Sequence, residues 1–209
     1  MAKGALKRQS SFPSSIFRSN ISAGGALGSL SWFLLAGALI MLWLVILSGV
    51  RNHTPLNKIW FLRADTSGIR GSTHPVSQWT YFHICGQGNM NCDKAKAALP
   101  LGYAWYEGSE GAPSALVGNH GHNTTSRYYF YMWRFGWVFY FIAFILANFA
   151  ALTGLLACLK IVTAATGLLT LGALFFLTLA ASLMTYVSLP PKPSESAPNT
   201  SKCRFRQGP

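Results

Sequence analysis

The chain has 209 residues, 51% hydrophobic and only 11% charged, with 17 Lys and Arg against 5 Asp and Glu for a net charge of +12. A soluble domain carries about 25% charged residues, so this balance excludes an ordinary soluble globular protein. The basic residues are scattered through tails and loops with no run of four, which excludes a nucleic-acid-binding stripe and fits the flanks of membrane spans.

In chain order, residues 1–28 are rich in Ser and Gly and hold Lys3, Lys7, Arg8 and Arg18 with no acid. That composition predicts a disordered cytosolic tail whose bases can touch anionic lipid. "SLSWFLLAGALIMLWLVILSGV" (29–50) follows, free of ionisable groups and long enough to span a bilayer, which takes about 20 residues. It is too long, and too far from the start, for a cleaved signal peptide, whose apolar core runs about 7–15 residues. Residues 135–159 and 161–189 are two more such runs, separated by a tight turn at Lys160. A polar tail, 190–209, closes the chain.

Residues 51–134 form the one loop large enough to fold, and hold all five histidines and every acid except Glu195. "KIWFL" and "WTYFHIC" are aromatic and β-branched runs bounded by Gly, Pro, Ser and Asn, which predicts short strands. "GQGNMN" is turn chemistry, while "SEGAP" and "GNHGHN" read as irregular connections. The expected fold class is an all-α membrane bundle capped by a small β-rich loop domain.

In the second run, Ala143, Ala147 and Ala151 recur at intervals of four, with Ala150, Gly154 and Cys158 as a parallel row. Small residues at that spacing allow close helix approach in lipid, so Ala143, Ala147, Ala151 and Gly154 are the candidate helix interface. Asn148, the most polar group in any run, is expected to hydrogen-bond a neighbouring helix.

Charge counting does not fix the side of the loop, because the two tails are about equally basic and Arg51 and Arg134 flank the loop. Long loops also cross largely regardless of charge. Two nearby cysteines and the glycosylation tripeptide Asn123-Thr124-Thr125 favour an extracellular loop.

The stretch "WTYFHICGQGNMNCDKAKAALPL" resembles the fungal Sur-seven/PalI family of plasma-membrane proteins. The matching positions are Trp79, Thr80, Ile84, Cys85, Gly86, Cys92, Lys94, Lys96 and Pro100. "RFGWVFYFIAFILANFAALTGLLA" and "LFFLTLAASLMT" resemble the second and third spans of that family, so the likeness covers roughly residues 30–187. The family is distantly claudin-like, and Trp60, Trp79, Cys85 and Cys92 echo the claudin order of tryptophans ahead of two cysteines. The resemblance implies a four-span bundle and a non-enzymatic role in eisosome-associated plasma-membrane domains, tied to cell wall, endocytosis and sphingolipid balance. Its PalI branch implies an alternative, an accessory role in ambient-pH sensing; a lipid-handling or transport activity is a third reading. It also implies homo- or hetero-oligomers with membrane proteins of the same domain. After Thr185 this chain departs from the pattern: the polar "YVSLPPKPSESAPNTSKCRFRQGP" replaces a fourth span, which points to a truncated product, a misread gene or a splice form.

Three readings compete for Cys85 and Cys92, seven positions apart. A zinc site needs four ligands, with cysteines usually two to four apart, and a fourth ligand is hard to name here. A thioredoxin-type site needs two intervening residues. A disulfide needs α-carbons within about 7 Å, which the Gly86, Gly88 and Asn89 turn permits, and its small ring contributes roughly 2–3 kcal/mol. The disulfide is the expected state. His120 and His122 with His74 or His83 could gather a metal, but a solvated Gly/Asn/His loop is the expected reading, and no cofactor is called for. The chain lacks a P-loop, a dinucleotide glycine fingerprint and HExxH.

Overall fold

A computed structural model describes residues 14–51, 53–156, 160–187 and 206–207. The expectations for residues 1–13, for Cys158 and for most of the 190–209 tail lie outside the described residues.

Three long helices carry the chain. α1 runs Ser14–Leu47, α2 Arg127–Leu155 and α3 Lys160–Val187. Each contains a stretch long and apolar enough to cross a membrane: Gly28–Leu47, Arg127–Leu155 and Val162–Val187. α1 starts inside the segment read as disordered. Adding a turn to an existing helix costs little once the apolar half has nucleated it, so helix spreads into the Ser/Gly-rich stretch. At 1.5 Å per residue α1 is roughly 50 Å long against about 30 Å of hydrocarbon, so its first half projects beyond the membrane. α2 likewise begins eight residues before the charge-free run at Phe135, so Arg127–Arg134 belong at headgroup level or beyond, outside the hydrocarbon core. Its "RYYFYMW" start is the aromatic belt expected at a membrane boundary.

α2 lies along α3, with α1 against α2. Ala143, Ala147 and Ala150 of α2 are buried, as are Ala173 and Ala180 of α3 and Leu42 and Ile46 of α1. Side chains enter where glycine leaves room. Met184 sits over Gly136 and Leu146 against Gly172, at 3.1 and 3.4 Å from where a β-carbon would stand. Polar groups tie the helices at few points: Tyr140 donates to the Leu42 carbonyl (3.2 Å), and Thr166 to the Thr153 hydroxyl (3.0 Å). Asn148 does not join them. Its amide donates back to the Phe144 carbonyl one turn earlier (2.8 Å), which satisfies it within α2.

The loop between α1 and α2 forms a small antiparallel sheet. β1 (Leu62–Asp65) pairs with β2 (Val76–Trp79), from Leu62 opposite Trp79 to Asp65 opposite Val76. β3 (Ile84–Cys85) pairs with β2 through Gln78–Cys85 and Trp79–Ile84. β4 (Arg206–Gln207) adds to the free edge of β1, giving the order β3-β2-β1-β4. "KIWFL" therefore contributes only its last residue to a strand. "WTYFHIC" is two strand ends around a reversal, because Thr80 closes on His83 through its N–H (2.9 Å) and its hydroxyl (3.0 Å) to the same carbonyl.

Alternate residues of β1, Leu62 and Ala64, face a core shared with Trp79, Ile84, Leu101, Trp105 and Leu116. Trp133 from α2 and Val187 from the end of α3 complete that core. The loop domain and the helix bundle are thus one packed unit.

Candidate functional site

The four residues Trp79–Phe82 form the joint between sheet and bundle. Trp79 is buried in the loop core, its indole N–H donates to the Leu101 carbonyl (3.1 Å), and its ring meets Trp105 edge-on. Thr80 sits on the last turn after α1. A β-carbon on Gly49, which has φ +82, would stand 2.5 Å from the Thr80 hydroxyl, so only glycine fits there. Tyr81 and Trp137 of α2 stack at 5.0 Å and exchange hydrogen bonds. The Tyr81 hydroxyl donates to the Trp137 carbonyl (3.1 Å), and the Trp137 indole donates to the Tyr81 carbonyl (3.0 Å). Burial pushes the Tyr81 phenol well above its usual range, with Tyr140 nearby adding to the shift. Phe82 packs edge-on against both rings.

Cys85 and Cys92 form a disulfide, their α-carbons 4.0 Å apart. The turn inside it uses left-handed backbone at Gly88, Asn89 and Asn91. Gly86 donates to the Met90 carbonyl (2.8 Å), closing the reversal.

Asn89 anchors this turn to the rest of the domain. Its backbone N–H donates to the Gln78 side chain (3.0 Å), and its amide donates to the carbonyls of Leu56 and Ile59, both at 2.9 Å. Sequence reading gave Asn89 a turn role alone. The signal available was an Asn in a left-handed position, but its partners lie some thirty residues away and leave no local trace.

The model of the SUR7/PalI family matches residues 27–191. The chain belongs to the SUR7/PalI family. It is 33% identical to "Protein SUR7" of Candida albicans over 74% of this chain and 56% of that protein. Against "SUR7 family protein FMP45" of Saccharomyces cerevisiae the identity is 31%, over 75% of this chain and 50% of the relative. Against the "Uncharacterized plasma membrane protein YNL194C" of the same yeast it is 30%, over 73% and 51%. The chain spans about half the length of the curated relatives it matches. No solved structure matches it.

Of the loop motif that carries the SUR7/PalI likeness, Trp79, Thr80, Ile84, Cys85, Gly86 and Cys92 come together at the β2–β3 reversal. Trp60 stands outside the strands, half-buried, with its indole nitrogen buried and without a hydrogen-bond partner. Lys96 and Pro100 lead into the short 3-10 helix Leu101–Trp105 beneath Trp79.

Asn123 is exposed in a left-handed turn just before α2. Its tripeptide partner Thr125 is fully buried, with the hydroxyl accepting the Gly102 N–H (3.0 Å). In the helix row, Ala143 and Ala147 are buried, while Ala151 and Gly154 are half-buried. Ala147 packs in a cluster with Leu42 of α1 and Ala173 of α3. Gly154 faces Trp32 of α1 and Thr166 of α3.

The histidines diverge. His120 packs on Phe130 and Tyr131, whereas His122 packs on Tyr103 and Tyr106. His83 has Nδ1 2.8 Å from the Asp93 carbonyl, and His74 approaches the Asp93 carboxylate at 3.9 Å. Among the described residues no three His, Cys, Asp or Glu side chains group as a metal site.

Proposed function

We propose that this chain is a non-catalytic organiser of a plasma-membrane domain, of the eisosome-associated type, with its loop domain outside the cell and its N-terminus in the cytosol. The observation that carries this reading is the joint at Trp79–Phe82. A disulfide-closed domain is fixed to all three spans through Gly49, Trp137 and Val187. A head locked to its helices presents one rigid surface to neighbours, as a scaffold requires, whereas a transporter needs its parts to move. The name of one relative places that protein in the plasma membrane. The acids of the described residues are dispersed: Glu110 pairs with Arg70 on the surface, and Asp65 bonds Ser67. Oligomers with proteins of the same domain, and effects on cell wall, endocytosis and sphingolipid balance, follow from this role.

Photobleaching of the fluorescently tagged chain in a fungal cell tests it. The organiser reading expects stationary cortical patches that do not recover over minutes and that overlap the eisosome scaffold. Uniform surface fluorescence with rapid, complete recovery overturns it. A glycosidase-sensitive mass shift lost in Asn123→Gln supports the external loop, and protection of the loop from protease added to intact cells overturns that placement.

A further inference from the structure

A cleft of about 320 Å³ opens between the loop domain and the start of α2. Three cationic or protonatable side chains line it: Lys96, His122 and Arg134. Tyr103 and Phe130 supply its flat walls. No acid lines this cleft. Among the described residues the ion pairs are Arg70–Glu110 and His74–Asp93, so neither Lys96 nor Arg134 is neutralised by a carboxylate.

Both cations are exposed, and each is placed over an aromatic ring. The Lys96 ammonium lies 4.6 Å above the Tyr103 ring, and the Arg134 guanidinium 4.8 Å above Phe130. A ring face orients a cation while leaving its N–H groups available to an anion. The Lys96 backbone is pinned to the Phe82 carbonyl (2.9 Å), which fixes its stem beside the joint. His122 is fixed edge-on to Tyr103 and Tyr106. The walls are built on unusual backbone: Ala98 and His122, neither a glycine, are left-handed at φ 48 and 61. Strain of this kind persists where surrounding structure imposes it, and it concentrates at binding sites.

Depth in the membrane supplies the ligand class. Arg134 is the last charge before the uncharged run that begins at Phe135. A guanidinium at that point belongs at headgroup level, so the cleft opens where lipid phosphates lie.

We infer that this cleft binds a phosphate group, presented by the headgroup of an anionic lipid in the leaflet facing the loop domain. Arg134 supplies a planar fork for two phosphate oxygens, and Lys96 adds a compact charge.

The test uses the full chain in phosphatidylcholine nanodiscs, with and without phosphatidylinositol, and counts retained phosphatidylinositol by native mass spectrometry. Lys96→Gln and Arg134→Gln should each lower retention about fivefold, the worth of one cation near such a surface. Arg51→Gln, which removes a boundary cation outside the cleft, should leave it unchanged. Intact Cys85–Cys92 pairing in each variant reports a folded loop. Protection by inorganic phosphate equal to that by phosphatidylinositol assigns the same site to a soluble phosphate source. Unchanged retention in both cleft variants, or an equal loss in Arg51→Gln, overturns the site.

Discussion

The Asn89 amide donates to two carbonyls while its own backbone sits at φ 52. Both features are hard to replace. Alanine removes both hydrogen bonds and strains the left-handed backbone, a combined loss of about 2–4 kcal/mol. Glycine loses the same hydrogen bonds but accepts the backbone, so Asn89→Gly should be the milder change. Thermal unfolding in nanodiscs should rank wild type above Asn89→Gly and that above Asn89→Ala. Equal midpoints for Asn89→Ala and wild type would remove Asn89 from its anchoring role.

At the scale of elements, alanines make much of the buried face between α2 and α3, and α1 lays Leu42 and Ile46 against it. Ala147 is buried in one cluster with Leu42 of α1 and Ala173 of α3. Ala147→Leu should overpack that cluster and cost about 1–3 kcal/mol, while Ala151→Leu, at a half-buried site, should cost less. Helix separation read by disulfide cross-linking between engineered α1 and α2 cysteines checks this, and unchanged cross-linking in Ala147→Leu contradicts it. The three spans were legible in the sequence because hydropathy over twenty residues overwhelms every other signal. The disulfide was legible because its turn is local. The break inside "WTYFHIC" was not, since every residue there favours a strand. Thr80 reverses the chain by bonding His83, and Tyr81 leaves the sheet to stack on Trp137, 56 positions away. The Asn148 expectation failed for a related reason: an amide in a helix finds a carbonyl four residues back before it finds another helix. The phosphate cleft was hidden too, because Lys96, His122 and Arg134 are separated in sequence and meet only once Tyr103 and Phe130 are placed.

For the whole molecule, the loop core contains Trp133 and Val187, residues that follow the loop in the chain. During synthesis the sheet and the disulfide can form early, but that core stays open until the third helix has emerged and inserted. Thr125 is fully buried, with its hydroxyl taken by the Gly102 N–H. A glycan-transferring enzyme needs that hydroxyl free, so under the proposed external placement of the loop, modification of Asn123 has to precede the burial of Thr125. On that proposal, the extent of glycosylation would act as a clock that records how long Thr125 stays open while the domain folds. Trp133→Ala, which leaves the core incomplete, should raise the fraction of glycosidase-sensitive chains over wild type, and Asn123→Gln should abolish the signal in both. An unaltered fraction in Trp133→Ala would mean that the tripeptide is already closed before α3 arrives.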